Sequence, residues 1–464
     1  MIDLSIMEPL IESHDSETST SSNRNHRLLN ICCLIFIAQT IALFYHTMLV
    51  SDSLNCEEKW SIACGPLKDC DDVPIITRSH NDSLIFPRRQ ETAHVDCERV
   101  LREDWEYISS IKADRPNLRR SRFHFNCEYI RNKVVTRNDY KEIPFGVAHV
   151  RIVYESYDFI EEELAASYHP QNVFCYSVDK KAPYYFNLQI EFLSSCFPNV
   201  FVSPVRFSVT SRGHYQNHAY HECLKLLVHV PGWEYLIRMQ NYDIMLKSVY
   251  ETVSIFQALH GRNDISVTDC DPRRWDHSAK WDLRSLNLYP EGSNVTLPDS
   301  NVTLKIACGV VQTSLSRAAV KWMVETVNLT TLLDQLNADG VYGTDEILMA
   351  SLRATPELEM PGRNSTSCSS ISKRRKFPSF FTRFTAWNKS KVPCLSQMIR
   401  HEICIFGIED LSRLSSRYEL LANKILPYFD YAVVDCLHEL LFNRTHLGQI
   451  DHALDLKQYS RKCR

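Results

Sequence analysis

The chain has 464 residues, of which 44% are hydrophobic and 23% charged, proportions found in ordinary globular proteins. These values exclude a disordered, collagenous or wholly membrane-embedded chain. The formal net charge is −4, which leaves no electrostatic footprint for nucleic acid, so we expect no nucleic-acid partner.

The first element in chain order is an apolar segment, residues 28–50, that contains no Asp, Glu, Lys or Arg. At about 1.5 Å per residue it is long enough to cross the hydrocarbon core of a bilayer. A polar segment precedes it and no small-residue cleavage site follows, which favours a signal anchor over a cleaved signal peptide. A buried core helix is the alternative. Arg24 and Arg27 place residues 1–27 in the cytoplasm and the remainder across the membrane.

The sequence beyond this segment has the features of a lumenal protein. Fifteen of the 17 cysteines lie there, as an oxidising lumen allows. Seven Asn-x-Ser/Thr sequons are candidate N-glycosylation sites: Asn81, Asn294, Asn301, Asn328, Asn364, Asn388 and Asn443. We therefore predict a single-pass type II membrane protein, attached to the membrane by one N-terminal helix.

Residues 51–95 are polar and irregular and are interpreted as a stem, which leaves residues 96–464 as the lumenal domain. Strand patterns at 146–154, 172–178, 199–203 and 234–239 alternate with helical patterns at 158–168, 186–196, 217–230 and 248–261. This alternation predicts an α/β fold with a parallel sheet and right-handed crossovers. No GxGxxG follows the first strand and no GxxxxGK[ST] occurs, which argues against dinucleotide-binding and P-loop proteins.

The second half of the chain is less regular. Residues 264–303 have the composition of a long surface excursion, and residues 304–326 return to a strand and then a helix. Residues 343–354 predict a further helix, with Thr344 as its cap. Residues 357–395 are loop-like.

A lumenal α/β domain behind a type II anchor suggests a Golgi glycosyltransferase, by architectural association alone. Many such enzymes bind the donor diphosphate through an Asp-x-Asp motif and a divalent metal after the fourth strand. Here that position reads Asn241-Tyr242-Asp243, with one carboxylate. Literal Asp-x-Asp triplets at 69–71 and 269–271 each have a cysteine at the centre, so a disulfide turn explains them at least as well. We therefore expect no metal cofactor.

Inverting sugar transfer needs a general base that takes the proton of the acceptor hydroxyl. Glu346 follows the turn at Gly343 and a helix begins there, so its carboxylate could project into a cleft. The alternative is that Asp345 and Glu346 only favour the helix dipole.

Several segments occur in a distinctive order and spacing: HPQNVFCYSVDKKA (169–182), FLSSCFPNVFVS (192–203), GWEYLIRMQNYDI (232–244), YGTDEILMASL (342–352) and CIFGIEDL…LLANK (404–424). Together they resemble the core-2/I-branching β-1,6-N-acetylglucosaminyltransferases over roughly three quarters of the chain. The resemblance implies a GT-A-like (Rossmann-like) fold with a mostly parallel sheet and no metal. It also implies inverting transfer of a sugar, expected to be N-acetylglucosamine, from a UDP-sugar to an O-glycan or related glycoprotein acceptor. The alternatives are another UDP-sugar, such as xylose or glucose, or an inactive glycan-binding scaffold.

The resemblance also implies roles for individual residues. Glu346 matches the family's general base, and Lys424 matches the lysine that helps to replace the metal at the diphosphate. Its arginine partner matches Arg400 counted forward from Cys394, but His401 counted backward from Cys404, because this loop has one extra residue. Arg400 is favoured because its guanidinium is always charged. The UDP-sugar-binding set is completed by Asp179, and the acceptor-binding set is Trp387 and Asp243.

The resemblance implies four disulfides as well. They are Cys97–Cys436, Cys127–Cys196, Cys175–Cys223 and Cys394–Cys404. Seven cysteines beyond the apolar segment stay unassigned: Cys56, Cys64, Cys70, Cys270, Cys308, Cys368 and Cys463. Because seven is odd, at least one of these thiols is free, modified or bonded to another chain. The three in the stem are the first candidates for a disulfide-linked homodimer.

Overall fold

The structure is a computed structural model, and it describes residues 85–118, 123–135, 140–289, 302–338, 340–362, 380–449 and 453–460. The predicted cytoplasmic tail, the apolar segment 28–50 and most of the stem lie outside these residues. Across the described ranges, no helix is both long and apolar enough to span a bilayer. The described residues belong to one compact unit.

A central five-stranded sheet organises this unit. Its strands are β1 (Gly146–Val153), β2 (Val173–Val178), β3 (Val200–Val202), β4 (Trp233–Met239) and β6 (Ser314–Ser316), and β5 (Ile244–Met245) belongs to a smaller sheet. The order is β3-β2-β1-β4-β6. The first four strands are parallel, with Val150 opposite Cys175, whereas β6 runs antiparallel to β4 with Ser316 opposite Tyr235. The four predicted strands are confirmed, and β6 adds an antiparallel edge, which needs no crossover helix.

Helices cover both faces of the sheet. The segment before β1 contains α1 (Cys97–Leu101), α2 (Trp105–Ala113) and α3 (Cys127–Val134). The four predicted helices are α4 (Tyr157–Ser167), α5 (Tyr184–Ser195), α6 (Gln216–Leu227) and α7 (Val249–Leu259). Further along are α8 (Arg317–Lys321) with a π-turn (Trp322–Thr326), α9 (Thr330–Leu336), α10 (Leu348–Ala354), α11 (Leu411–Ser415) and α12 (Tyr431–His446). Because the sheet is covered on both sides, every residue of β1 is buried.

The prediction that residues 264–303 form a surface excursion is wrong for its middle part. Trp281, Leu283, Leu286 and Leu288 are each at most 5% exposed and pack in the same core as α9. Backbone hydrogen bonds to residues 302–304 hold this stretch in place. The sequence did not reveal these buried residues because their spacing follows neither a helix nor a strand and the residues around them are polar.

Two small sheets are formed mainly by residues from the last third of the described chain. In one, β5, β10 (Leu421–Ala422) and β7 (Arg383–Phe384) lie in the order β5-β10-β7. In the other, β8 (Ile399–Arg400) pairs antiparallel with β9 (Ile403–Cys404). These short strands bring three separate parts of the sequence next to the end of β4.

Five disulfides link the described residues. Four are the bridges that the resemblance implies: Cys97–Cys436, Cys127–Cys196, Cys175–Cys223 and Cys394–Cys404. The fifth joins Cys270 to Cys308, two cysteines that the sequence left unassigned. It places the central cysteine of the 269–271 triplet in a disulfide, and Cys56, Cys64 and Cys70 lie outside the described residues.

Candidate active site

The carboxyl ends of β1, β2 and β4 meet at one edge of the central sheet, where parallel α/β sheets bind their ligands. Asp179 follows β2 directly, and its backbone N–H donates to the Val153 carbonyl at 2.9 Å. Its carboxylate accepts from the Lys181 N–H at 2.8 Å and lies 3.1 Å from the Lys181 ammonium. Asp179 therefore lies at the ligand edge, with Lys181 as its partner.

Asp243 is the polar centre of the loop after β4, residues 240–243. It is fully buried, and its carboxylate accepts from the Gln312 amide at 2.8 and 2.9 Å and from the Asn423 amide at 2.8 Å. The Gln240 N–H donates to the same carboxylate at 2.6 Å. Burial raises the pKa of Asp243, and the hydrogen bonds from Gln240 and Gln312 oppose that rise. The carboxylate is engaged within the protein, so its contact with an acceptor stays a prediction.

Lys424 and Arg400 come together although they lie in different elements. Lys424 follows β10, and Arg400, at the end of β8, donates to the Tyr428 hydroxyl at 2.6 Å. Burial lowers the pKa of Lys424, the Arg400 guanidinium lowers it further, and the Asp243 carboxylate raises it. The Lys424 carbonyl accepts from the Phe406 N–H at 3.0 Å, shortly after β9, so both cations lie beside the hairpin formed by β8 and β9. His401, the alternative match, lies in the exposed turn between β8 and β9.

Glu346 ends a single 3₁₀ turn, Thr344–Glu346, just before α10. The Arg274 guanidinium donates to the Glu346 carboxylate at 2.7 Å and to the Gly343 carbonyl at 2.6 Å. The Glu346 side chain is 27% exposed, which leaves the carboxylate open to solvent. Arg274 therefore orients a carboxylate that a ligand can still reach.

The start of this turn differs from the prediction that Thr344 caps a helix. The residue before the turn is Gly343, and no side chain caps it. Thr344 is instead buried within the turn, and its carbonyl accepts from the Asn217 amide at 3.0 Å. The cap prediction is wrong because a 3₁₀ turn, with its different hydrogen-bond pattern, comes before the α-helix.

Two glycines permit the close packing around Glu346. Gly343 has φ +64°, and a Cβ there would collide with the Arg274 guanidinium. Gly213 has φ +94°, and a Cβ there would collide with the Asp345 carboxylate. Any other residue would have to displace these groups and adopt an unfavourable left-handed backbone, so glycine is favoured at both positions.

Arg383, the first residue of β7, links the two halves of the site. It donates to the side-chain carbonyl of Gln312 at 2.7 Å, and the amide of that Gln312 binds Asp243. Burial lowers the pKa of Arg383, while the carboxylates of Asp243 and Glu346 raise it. Its charge also acts on Lys424. The buried guanidinium is thus linked through Gln312 to the Asp243 carboxylate.

Trp387 lies at the rim of the site. The residue is 42% exposed, and the Arg383 guanidinium lies 6.0 Å from the centroid of its ring. The Trp387 backbone bridges to Ile403 of β9, the strand that pairs with the one carrying Arg400. An exposed aromatic ring at this position offers a stacking surface to a sugar or another ligand, as the predicted acceptor-binding role requires.

Sequence reasoning missed Arg274, Arg383, Gln312 and Tyr428. Arg274 falls in the stretch interpreted as a surface excursion, and Arg383 in the stretch interpreted as a loop. Each arginine directly precedes an aromatic residue, but that pattern is too common to single out a site. These four side chains are distant in sequence from the predicted site residues that they lie beside, and only the folded chain places them next to Glu346, Asp243 and Arg400.

Asp345 supplies a pH-dependent prediction. Burial raises its pKa to about 7, and the neighbouring Glu346 carboxylate raises it as well, while Arg238 and Arg274 oppose the rise. The folded state therefore holds this proton more tightly than the unfolded state. The stabilising effect is complete below the unfolded pKa of 3.8 and is lost as the pH rises from there to about 7.

We expect Asp345→Asn to gain stability relative to the wild type as the pH rises from 4 to 7, by up to about 4 kcal/mol, because asparagine does not ionise. The measurement is the free energy of unfolding of both proteins across that range. Asp269→Asn, at an exposed position, is the control. A stability difference that stays constant with pH would contradict the assignment.

Three of the seven predicted N-glycosylation sites lie in the part of the chain that the structure describes. Asn388 is exposed, whereas Asn328 and Asn443 are partly buried. Asn81, Asn294, Asn301 and Asn364 lie outside the described residues. Asp271 forms an ion pair with Arg273 at 2.6 Å, and its side chain caps the 3₁₀ turn Pro272–Arg274.

Known proteins with similar sequences carry informative names. A rat protein, Beta-1,3-galactosyl-O-glycosyl-glycoprotein beta-1,6-N-acetylglucosaminyltransferase 3, is 26% identical over 388 residues, covering 76% of this chain and 84% of the relative. The bovine (Bos taurus) protein of the same name is 26% identical over 387 residues, covering 76% and 83%. A Beta-1,3-galactosyl-O-glycosyl-glycoprotein beta-1,6-N-acetylglucosaminyltransferase of bovine herpesvirus 4 (strain LVR140) is 26% identical over 394 residues, covering 79% and 86%.

The family model described as "Branch: Core-2/I-Branching enzyme" matches residues 147–415, more than half of the chain. This range includes the central sheet, Asp179, Asp243, Glu346 and Arg400. The chain therefore belongs to the Core-2/I-branching enzyme family and is a glycosyltransferase.

Proposed function

We propose that this enzyme is a metal-independent, inverting transferase with a GT-A-like fold. It moves N-acetylglucosamine from a UDP-sugar to a hydroxyl of an O-glycan, forming a β-1,6 linkage. The observation that carries the proposal is the Glu346 carboxylate, which Arg274 holds at 2.7 Å while the Glu346 side chain stays 27% exposed. The names of the relatives support the choice of sugar and linkage.

In this proposal Glu346 is the general base. Its partly exposed carboxylate takes the proton of the acceptor hydroxyl while the hydroxyl oxygen attacks the anomeric carbon of the donor. The bond from that carbon to the β-phosphate oxygen of UDP breaks on the opposite side. Arg274 supports this role because it fixes the carboxylate without covering it.

Arg400 and Lys424 take the place of a metal in this proposal. Negative charge develops on the departing UDP, and two fixed cations in a partly buried site stabilise it more effectively than solvent would. Tyr428 holds the Arg400 guanidinium, and burial of Lys424 strengthens its interaction with an anion. Asp179, at the end of β2, completes the donor side near the nucleotide.

We also propose that the enzyme works in the Golgi lumen on a single-pass type II anchor, residues 28–50, with residues 1–27 in the cytoplasm. The charge-free apolar segment and the two arginines before it support this topology. The five disulfides of the described residues agree with an oxidising compartment. Cys56, Cys64 and Cys70 are the proposed link of a homodimer.

A donor and acceptor screen tests the proposal. The lumenal part is incubated with UDP-N-acetylglucosamine, UDP-xylose or UDP-glucose and a set of O-glycan acceptors, each with and without excess EDTA, and products are detected by mass spectrometry. We expect transfer from UDP-N-acetylglucosamine only, at a rate that EDTA leaves unchanged. Transfer from UDP-xylose or UDP-glucose instead would show that the proposed donor sugar is wrong. A strict need for manganese would overturn metal independence. UDP binding without turnover of any donor would indicate a glycan-binding scaffold.

A further inference from the structure

A buried arginine lies beneath the loop that carries Asp243. Arg151 belongs to β1 and is 4% exposed. Its guanidinium donates to the backbone carbonyls of Gln240 at 3.2 Å, Asn241 at 3.0 Å and Asp243. Three carbonyls of one four-residue loop therefore converge on a single side chain. Buried carbonyls need such partners, and the planar fork of arginine can serve several at once.

The charge of Arg151 is balanced from the opposite side. The Glu163 carboxylate of α4 lies 3.1 Å from the guanidinium and accepts from His438 of α12 at 2.7 Å. Although burial opposes it, the carboxylates of Glu162 and Glu163, 3.6 and 2.7 Å from the imidazole nitrogens, raise the pKa of His438 to about 9. The groups form a buried chain of alternating charge, from α12 through α4 to β1, which ends on the 240–243 loop.

The 240–243 loop forms hydrogen bonds with the end of β1 and with the segment that contains Lys424. The Asn241 side chain accepts from the Tyr154 N–H at 2.8 Å at the end of β1. The Tyr242 carbonyl accepts from the Ile425 N–H at 3.1 Å, one residue after Lys424. A shift of the loop backbone would therefore displace the Lys424 segment.

Stability alone does not explain this arrangement. A buried ion pair often contributes no more stability than well-packed apolar residues of similar volume. A pair of apolar residues in place of Arg151 and Glu163 would leave the three loop carbonyls without hydrogen-bond donors. The geometry thus relates Arg151 to the conformation of the loop.

We propose that Arg151 is a positioning residue that holds the 240–243 loop in place against the Lys424 segment and thereby sets the affinity for the UDP-sugar. The inference rests on the proposed function, since it assumes that Lys424 faces the donor diphosphate. Arg151 itself has no contact with the donor in this proposal.

The test uses the variant Arg151→Met with Glu163→Gln, which removes both charges and keeps a hydrogen-bond acceptor for His438. We expect Kd for UDP and KM for the UDP-sugar to rise about tenfold, with KM for the acceptor within about twofold of the wild type. The control is Arg317→Met. Arg317 also donates to two backbone carbonyls, of Trp233 at 3.0 Å and Val228 at 3.1 Å, but at the opposite end of β4. It should lower the melting temperature and leave both donor constants unchanged.

Arg151→Lys keeps the positive charge opposite Glu163 but lacks the planar guanidinium that binds three carbonyls. It is the second variant, to be measured if the double variant does not fold. We expect it to raise Kd for UDP about threefold. A folded variant whose Kd for UDP and donor KM match the wild type would overturn the inference. Because UDP binding by calorimetry does not depend on turnover, this result is separate from a failure of the wild type to transfer any sugar.

Discussion

Replacing Glu346 with glutamine should lower kcat by about 10³-fold and leave the affinity for UDP within about twofold of the wild type. Glutamine has the shape of glutamate and can still bond to Arg274, so the turn before α10 keeps its conformation. It cannot take a proton from the acceptor hydroxyl. The measurement is single-turnover transfer together with UDP binding by calorimetry.

Glu357→Gln is the matched control for this substitution, because Glu357 is exposed and lies on the next turn of the chain after α10. It should retain the wild-type rate. Turnover of the Glu346 variant close to that of the wild type would remove Glu346 from the role of general base. Loss of UDP binding in the same variant would instead indicate that the site had rearranged.

The second large effect concerns the leaving group. Lys424→Met should lower kcat/KM for the UDP-sugar by about 10²- to 10³-fold, because methionine keeps the apolar stem but cannot stabilise charge on the departing UDP. Affinity for UDP should fall as well, since the diphosphate is bound in both states. Initial rates at varied donor concentration, together with UDP calorimetry, measure the two effects.

Lys321→Met provides the comparison for the lysine substitution. Lys321 is on α8, and its side chain is 64% exposed. Its removal should leave the donor kinetics unchanged. If kcat/KM of the Lys424 variant stayed within about threefold of the wild type, Arg400 alone would have to supply the stabilisation, and the two-cation proposal would be wrong.

The regular half of the fold could be predicted from sequence for a clear physical reason. Strands buried on both faces appear as short apolar runs, and the helices between them have helical spacing, so residues 146–259 follow the predicted order. The later half has short strands of two or three residues, which no periodicity reveals. Their positions depend on contacts between distant segments, such as β5 with β10.

The candidate site shows the same division. From its position after a turn, Glu346 could be named only as one of two alternatives, a general base or a carboxylate that favours the helix dipole, and it was the resemblance to the family that favoured the base. Arg274 could not, because it lies within an irregular segment and meets Glu346 only through the fold. Gln312 and Arg383 carry no signal in the sequence, and only the fold places them beside Asp243. The sequence could therefore predict ionisable groups near chain turns, but not the residues that hold them.

The contacts of residues 88–97 with α12 decide where a catalytic fragment without the apolar segment should begin. Arg88 pairs with Glu439 of α12, Thr92 is buried against Asp435, and Cys97 is bonded to Cys436. A fragment that began at the first strand of the central sheet would expose one side of α12 and leave a thiol without its partner. The smallest fragment that retains these contacts begins before Arg88, about 60 residues before residues 147–415, which the family model matches.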